Sequence, residues 1–217
     1  QSIPHKAGND LMAITTYSEL KTAVADWLNR SDLTSAIPNF IALAEAQMNR
    51  QIRHRKMVTR ADATLDTPYF AVPSDWLENI RFQLNTNPIT PLVFLTPEQL
   101  TEDSQTYITS GQPMFYTMVG QQFQVLPSPD GSYTGELLYY AKIPALSDAA
   151  PTNWLLTEAP DVYLYATLVQ SAPYLKEDER TGVWAGLYQT LVNDMKIADE
   201  RARIGSSKLT PRIRPFV

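Results

Sequence analysis

"ELLYYAKIPALSDAAPTNWLL", residues 136–156, is the passage on which the fold turns. Its first half alternates along an extended strand, with Leu138 and Tyr140 on one side and Leu137 and Tyr139 on the other. A strand apolar on both sides is covered on both, by helices or by a neighbouring subunit. The second half is a Pro- and Ala-rich connector, 142–156, that leads back to helix, where Thr157 is placed to cap and Pro160 to sit in the first turn.

Upstream of this passage, Met57 to Pro144 reads as β-rich: short β-branched and aromatic runs broken by Pro, Gly and Asn. Strands are expected near 57–65, 69–72, 79–85, 89–95, 114–119, 122–126 and 133–142, with a short helix at "TPEQLTED", 96–103. "VGQQF" and "PSPDGSY" carry the hairpin turns.

Helices flank this region. "TYSE", 16–19, is a capping box, and Tyr17, Leu20, Val24, Trp27 and Leu28 follow on one face. Pro38 suits the first turn of a second helix with Ile37, Ile41, Ala44, Met48 and Ile52 inward. Downstream, a third helix turns Val162, Tyr165, Ala166 and Val169 inward until Pro173 kinks or ends it, and a fourth carries a stripe of Trp184, Leu187, Leu191, Met195, Ala198 and Ala202. The fold class expected is α+β, mainly α: a four-helix bundle with helices over about 16–30, 36–54, 158–175 and 178–203, an inserted small antiparallel β region over about 57–144, and an extended C-terminal tail, 205–217. Residues 12–204 then form a single domain. Residues 1–11 are expected to be a non-native or disordered leader, since Met12 opens directly into the first capped helix.

With 44% apolar and 19% charged residues in 217, the composition is that of a globular, soluble chain, and a net charge of −5 gives no support for nucleic-acid binding by bulk charge. There is no cysteine, which excludes a disulfide framework, a thiolate nucleophile and a Cys-based zinc site. Apolar runs such as "FIALA", 40–44, are too short to span a bilayer, so no membrane role is expected.

Motifs for chemistry are sparse. His5 and His54 are the only histidines, no H-E-x-x-H spacing occurs, and the glycines form neither G-x-G-x-x-G nor a Walker loop. No serine stands in G-x-S-x-G, and a triad built on His54 lacks an indicated carboxylate. No catalytic residue, cofactor or metal is therefore assigned. "KEDER", 176–180, reads as a solvated turn, with paired catalytic carboxylates as the alternative. "NRQIRHRKMVTR", 49–60, gathers Arg50, Arg53, Arg55, Lys56 and Arg60; it reads either as a complement to a helix C-terminus or as a patch facing DNA phosphates or an acidic partner.

The stretches "YSELKTAVADWLNRSDLTSAIPNFIALAEAQMNRQIR", 17–53, and "LPSPDGSYTGELLYYAKIPALSDAAPTNWLLTEAPDVYLYATLVQSAPYL", 126–175, with "DERARIG" beyond, resemble the head-to-tail adaptors of tailed bacteriophages, including tail tubular adaptors of short-tailed phages. "NWLL", 153–156, followed by "PDVYLYA" is the most specific part. The resemblance implies a structural virion protein at the head-tail interface, assembled in the host cytoplasm. Its copies would form a homo-oligomeric ring, usually of about twelve, beneath the portal protein, prolonging the channel for genomic DNA and docking a tail or nozzle protein. The alternatives are a virion-associated cell-wall hydrolase, to be tested by Glu177→Ala and Glu179→Ala, and a sequence-nonspecific DNA-binding module using the 49–60 cluster.

The resemblance also implies a use for "GSSKLTPRIRPFV", 205–217, because a C-terminal extension in such proteins reaches onto the portal. Gly205 ends the fourth helix, the prolines keep the segment extended, and Lys208, Leu209, Arg212, Ile213, Arg214 and Phe216 offer charged forks and apolar anchors to a partner.

Overall fold

The computed structural model describes residues 14–175 and 180–204; the leader, residues 176–179 and the tail, with the readings attached to them, lie outside the described residues. The described residues form six helices, α1 (Tyr17–Leu28), α2 (Ile37–Gln51), α3 (Pro97–Ser104), α4 (Trp154–Glu158), α5 (Pro160–Leu175) and α6 (Thr181–Ile204). They also form eight strands, β1 (Val58–Leu65), β2 (Tyr69–Ala71), β3 (Trp76–Leu84), β4 (Thr90–Pro91), β5 (Val93–Phe94), β6 (Phe115–Val119), β7 (Gln122–Leu126) and β8 (Tyr133–Ala141). The chain divides into two compact units: a helical unit ending at His54 and resuming at Ile143, and a β unit, Arg55–Lys142.

In the helical unit α1 starts on the capping box, Glu19 N donating to Thr16 Oγ1 at 3.3 Å and Glu19 Oε2 accepting from Thr16 N at 2.9 Å. Tyr17, Leu20, Val24 and Leu28 are buried, whereas Trp27 lies at the margin, edge-on to Tyr165. Asn29, at φ 53, ends the helix in the left-handed conformation. Helix α2 has proline in its first turn and buries Ile37, Phe40, Ile41, Ala44, Glu45 and Met48. It stops at Gln51 because Ile52 turns extended.

Helix α5 touches α1, α2, α4 and α6. A helix with neighbours on several sides must be apolar around most of its circumference. Val162 and Ala166 are buried as expected, but so are Tyr163, Leu164, Thr167 and Leu168, while Tyr165 and Val169 are only half-buried. Pro160 opens α5; Thr157, expected as its cap, lies instead inside α4, which Asn153 caps. On α6 the buried stripe is Trp184, Tyr188, Val192 and Asp199, rotated from the expected one, and Leu187 is exposed.

The β unit is a sandwich. One sheet has the order β1-β8-β3-β4 and the other β2-β7-β6-β5. Leu65, Phe82, Leu84, Leu137 and Tyr139 of the first meet Tyr116, Phe123 and Val125 of the second in one core. The Phe82 ring lies 5.2 Å from Tyr116 and 5.5 Å from Phe70. Gly135 on β8 faces the same way, and a Cβ there would stand 2.5 Å from Leu65 Cδ1 and 3.0 Å from Phe82. Only glycine leaves room for both side chains at this point. Helix α3 lies between β5 and β6, which pair in parallel, and packs on β6; Thr117, facing away from the core, is nevertheless fully buried.

A four-helix bundle with a small antiparallel β region is therefore not the architecture. The chain is α+β, with six helices and two four-stranded sheets among the described residues, and the sheets are not uniformly antiparallel. Three physical reasons account for the correction. The strands hold enough aromatic residues to close a core of their own. The run 89–95 breaks at Leu92 into strands of different sheets, and "PSPDGSY" crosses from β7 to β8 between sheets instead of closing a hairpin.

Candidate interaction surfaces

The basic run at 49–60 is divided between the two units, Arg50 and Arg53 in the helical one and Arg55, Lys56 and Arg60 in the β one. Arg50 is exposed in the last turn of α2. Arg53 turns back on the helix, its Nη1 donating to Asn49 O at 2.8 Å and Ile52 O at 2.7 Å, as a cation at a helix C-terminus does. Arg55 and Lys56 are exposed in the 3-10 turn that precedes β1. Arg60 donates to Glu136 Oε2 at 3.3 Å, and Arg81 and Gln83 each reach Glu136 Oε1 at 3.2 Å. The strand register explains this meeting, since Arg60 and Arg81 both stand opposite Leu138, beside Glu136 on β8. Arg81 and Glu136 had no signal in the linear sequence. The tail residues Lys208, Leu209, Arg212, Ile213, Arg214 and Phe216 lie outside the described residues.

The carboxylate that the sequence does not indicate for His54 is supplied by α6. Asp199 Oδ1 lies 3.4 Å from His54 Nε2, and Asp199 Oδ2 accepts from Arg203 Nε at 2.8 Å. His54 is stacked on Trp154 with ring centroids 5.1 Å apart. At 7% and 4% exposure, His54 and Asp199 are closed to a substrate, so the pair orients and packs. Asp199 could have been found as the polar residue two turns, seven positions, beyond Val192 on the face that carries Trp184, Tyr188 and Val192.

Among the described residues, two grooves with walls from within one unit stand out. The larger, about 450 Å³, lies beside Lys21, Thr22, Ser31 and Thr34; the smaller, about 210 Å³, beside Trp76, Met118 and Lys142. In each the lysine is engaged, Lys21 by Asp148 at 2.9 Å and Lys142 by Ser74 O at 3.0 Å. No group of three His, Cys, Asp or Glu among the described residues could hold a metal ion. No described helix is long and apolar enough to cross a membrane.

The exposed apolar side chains of the β unit include those of the edge strand β5, Val93 and Phe94. Ile89, Val93, Phe94, Ile108 and Met114 are all exposed, Ile108 at 82%. Val93 N donates to Met114 O, and Phe94 lies edge-on to Tyr116, so this edge is built onto the core.

Buried phenols give each unit a pH signature. Burial, and next the Asp75 carboxylate that accepts from it, pushes Tyr139 up to about 12. Burial pushes Tyr188, which donates to Gln51, up to about 12 as well. Both folded values lie above the ordinary 10.0, so the stability the protonated phenols contribute is full below pH 10 and is lost as pH rises towards 12. Absorbance at 295 nm is expected to show part of the 11 tyrosines ionising only together with unfolding above pH 10. Tyr139→Phe and Tyr188→Phe should each remove a share of that late step; a titration that is complete near pH 10 in the folded chain would contradict the burial.

No curated protein matches the chain. The family model described as SU10 adaptor protein matches residues 15–212, from the cap of α1 past the end of α6 and across both units. That match covers most of the chain, and the protein belongs to the SU10 adaptor family of phage head-to-tail adaptors.

Proposed function

We propose that this adaptor is a structural protein of the head-tail interface whose copies form a ring, of about twelve, beneath the portal protein. The ring prolongs the channel for genomic DNA and presents a docking surface to a tail or nozzle protein. The observation that carries this reading is the family match over 15–212, which takes in both compact units and every described element. Within the proposal, Lys208, Leu209, Arg212, Ile213, Arg214 and Phe216 form a strap that grips the portal. Arg50, Arg53, Arg55, Lys56 and Arg60 supply cationic contacts to DNA or to a partner. No catalytic role is part of it.

The test is a pair of particle preparations, one lacking the protein and one carrying it without residues 208–217. Both are expected to yield heads without stable tails that lose their DNA, while the shortened chain keeps the helical circular-dichroism signal of the full one. Normal tails and retained DNA in particles lacking the protein would overturn the reading. Normal attachment by the shortened chain alone would overturn only the role of the strap.

A further inference from the structure

The β unit ends in two unlike edges. Three residues, 66–68, carry the chain from β1, an edge of one sheet, to β2, an edge of the other; a single residue, Leu92, carries it from β4 to β5, the opposite edges. The sandwich therefore has a β1/β2 edge and a β4/β5 edge. The β4/β5 edge presents the exposed apolar residues Ile89, Val93 and Phe94, and α3, which follows β5, adds Glu98, Glu102 and Asp103 with no basic residue of its own. At the β1/β2 edge Arg55 and Lys56 lead into β1, Arg60 follows on it, and Tyr69 on β2 is 47% exposed.

The charges also stand at matching heights. Strands β1 and β3 run together, both opposed to β8; β4 runs back against β3, so the chain descends through Leu92 towards the end of the sandwich where β1 begins. The start of α3 and the start of β1 thus share that end, acidic at one edge and basic at the other. Asp62 lies two residues beyond Arg60 on β1, and Asp66 lies past the end of the strand, in the link to β2. A contact that repeats head to tail and closes into a ring needs two different, mutually complementary surfaces on one subunit. These edges meet that condition in charge, and each adds exposed apolar area.

We propose that the β4/β5/α3 edge of one copy docks on the β1/β2 edge of the next, with Glu98, Glu102 and Asp103 facing Arg55, Lys56 and Arg60 and the Val93–Phe94 edge covered by the neighbour. This rests on the ring reading above and names the surface through which neighbouring copies touch.

The experiment uses the full chain, sedimentation velocity over a concentration series, and amine-reactive cross-linking, which reports association through any surface. Glu98→Lys with Glu102→Lys is expected to raise the concentration for half-assembly by about tenfold or more, because like charges then oppose across the contact. Arg55→Glu with Lys56→Glu should do the same, and the four changes together should restore assembly. Far-UV circular dichroism checks that each variant is folded; the exposed positions are chosen for that reason. Association that is unaffected by either pair, or two damaging pairs that fail to rescue each other, overturns the contact while leaving the ring reading standing. A wild-type chain that stays monomeric and uncross-linked, alone and with portal protein, overturns the ring reading and this contact with it.

Discussion

Phe82→Ala is expected to destabilise the β unit by about 3–5 kcal/mol, the range for removing a buried aromatic ring that leaves a cavity. The ring is 2% exposed and has Phe70, Tyr116 and Phe123 around it at 5.2–6.0 Å between centroids. Its edge rests above Gly135, where no side chain is available to fill the space. Three large rings held on the facing sheet, from β2, β6 and β7, cannot shift far enough to close the gap, so both the transfer term and the cavity term are lost. Phe94→Ala is the internal control: that ring is 54% exposed at the edge, so its loss should cost less than about 1 kcal/mol. Chemical denaturation followed by near-UV circular dichroism measures both. Equal costs for the two variants would mean that the sheets do not share the core described.

Much of this core was legible as pieces and not as a whole. Alternation in "ELLYYAK" correctly separated Leu137 and Tyr139 from Leu138 and Tyr140, and the first pair is indeed buried. Six of the seven expected strands lie close to observed ones, because β-branched and aromatic runs between Pro, Gly and Asn report local extension; the seventh, 89–95, divides into β4 and β5. Local extension does not report partners. Whether β7 turns back on itself or crosses to another sheet depends on long-range pairing, and that is where a small antiparallel region was expected and a sandwich exists. Helix α5 misled for a related reason: periodicity names one inward face, but α1, α2, α4 and α6 surround it.

The interaction surfaces were less legible than the fold. The 49–60 run is continuous in sequence, yet Arg53 turns back on the end of α2 and Arg60, still largely exposed, reaches Glu136, and only the register of three strands brings Arg81 to the same carboxylate. The pairing of His54 with Asp199 likewise depends on where α6 packs. Charge clusters in a sequence count residues; the fold decides which of them face outward.

Asn153→Ala is the second large effect expected, about 2–4 kcal/mol lost from the helical unit. Asn153 is buried and its Oδ1 accepts from Leu156 N at 2.8 Å, capping α4, while its Nδ2 donates to Pro144 O at 2.7 Å and to Tyr163 Oη at 2.6 Å. The Tyr163 hydroxyl in turn donates to Glu45 Oε1 at 3.2 Å, and the same oxygen accepts from Leu146 N at 2.8 Å. This chain of bonds ties the connector to α2 and α5. Alanine removes the cap, worth about 1 kcal/mol, and strands buried groups at about 1–3 kcal/mol. Asn153→Asp separates the two roles, because it keeps an acceptor for Leu156 but replaces the donor with a carboxylate oxygen aimed at a carbonyl. The introduced carboxyl, dry and close to Glu45, should have a folded pKa raised above its ordinary value, as burial already raises that of Glu45. The sign follows: the variant retains stability below about pH 4, where the introduced carboxyl is protonated and can donate, and loses it as pH rises through the folded value. Denaturation at acid and neutral pH, each relative to the unmodified chain, reads this directly. A deficit for Asn153→Asp that does not grow between the two would show that Asn153 acts as a cap alone, and that the Glu45–Tyr163–Asn153 chain does not hold the connector in place.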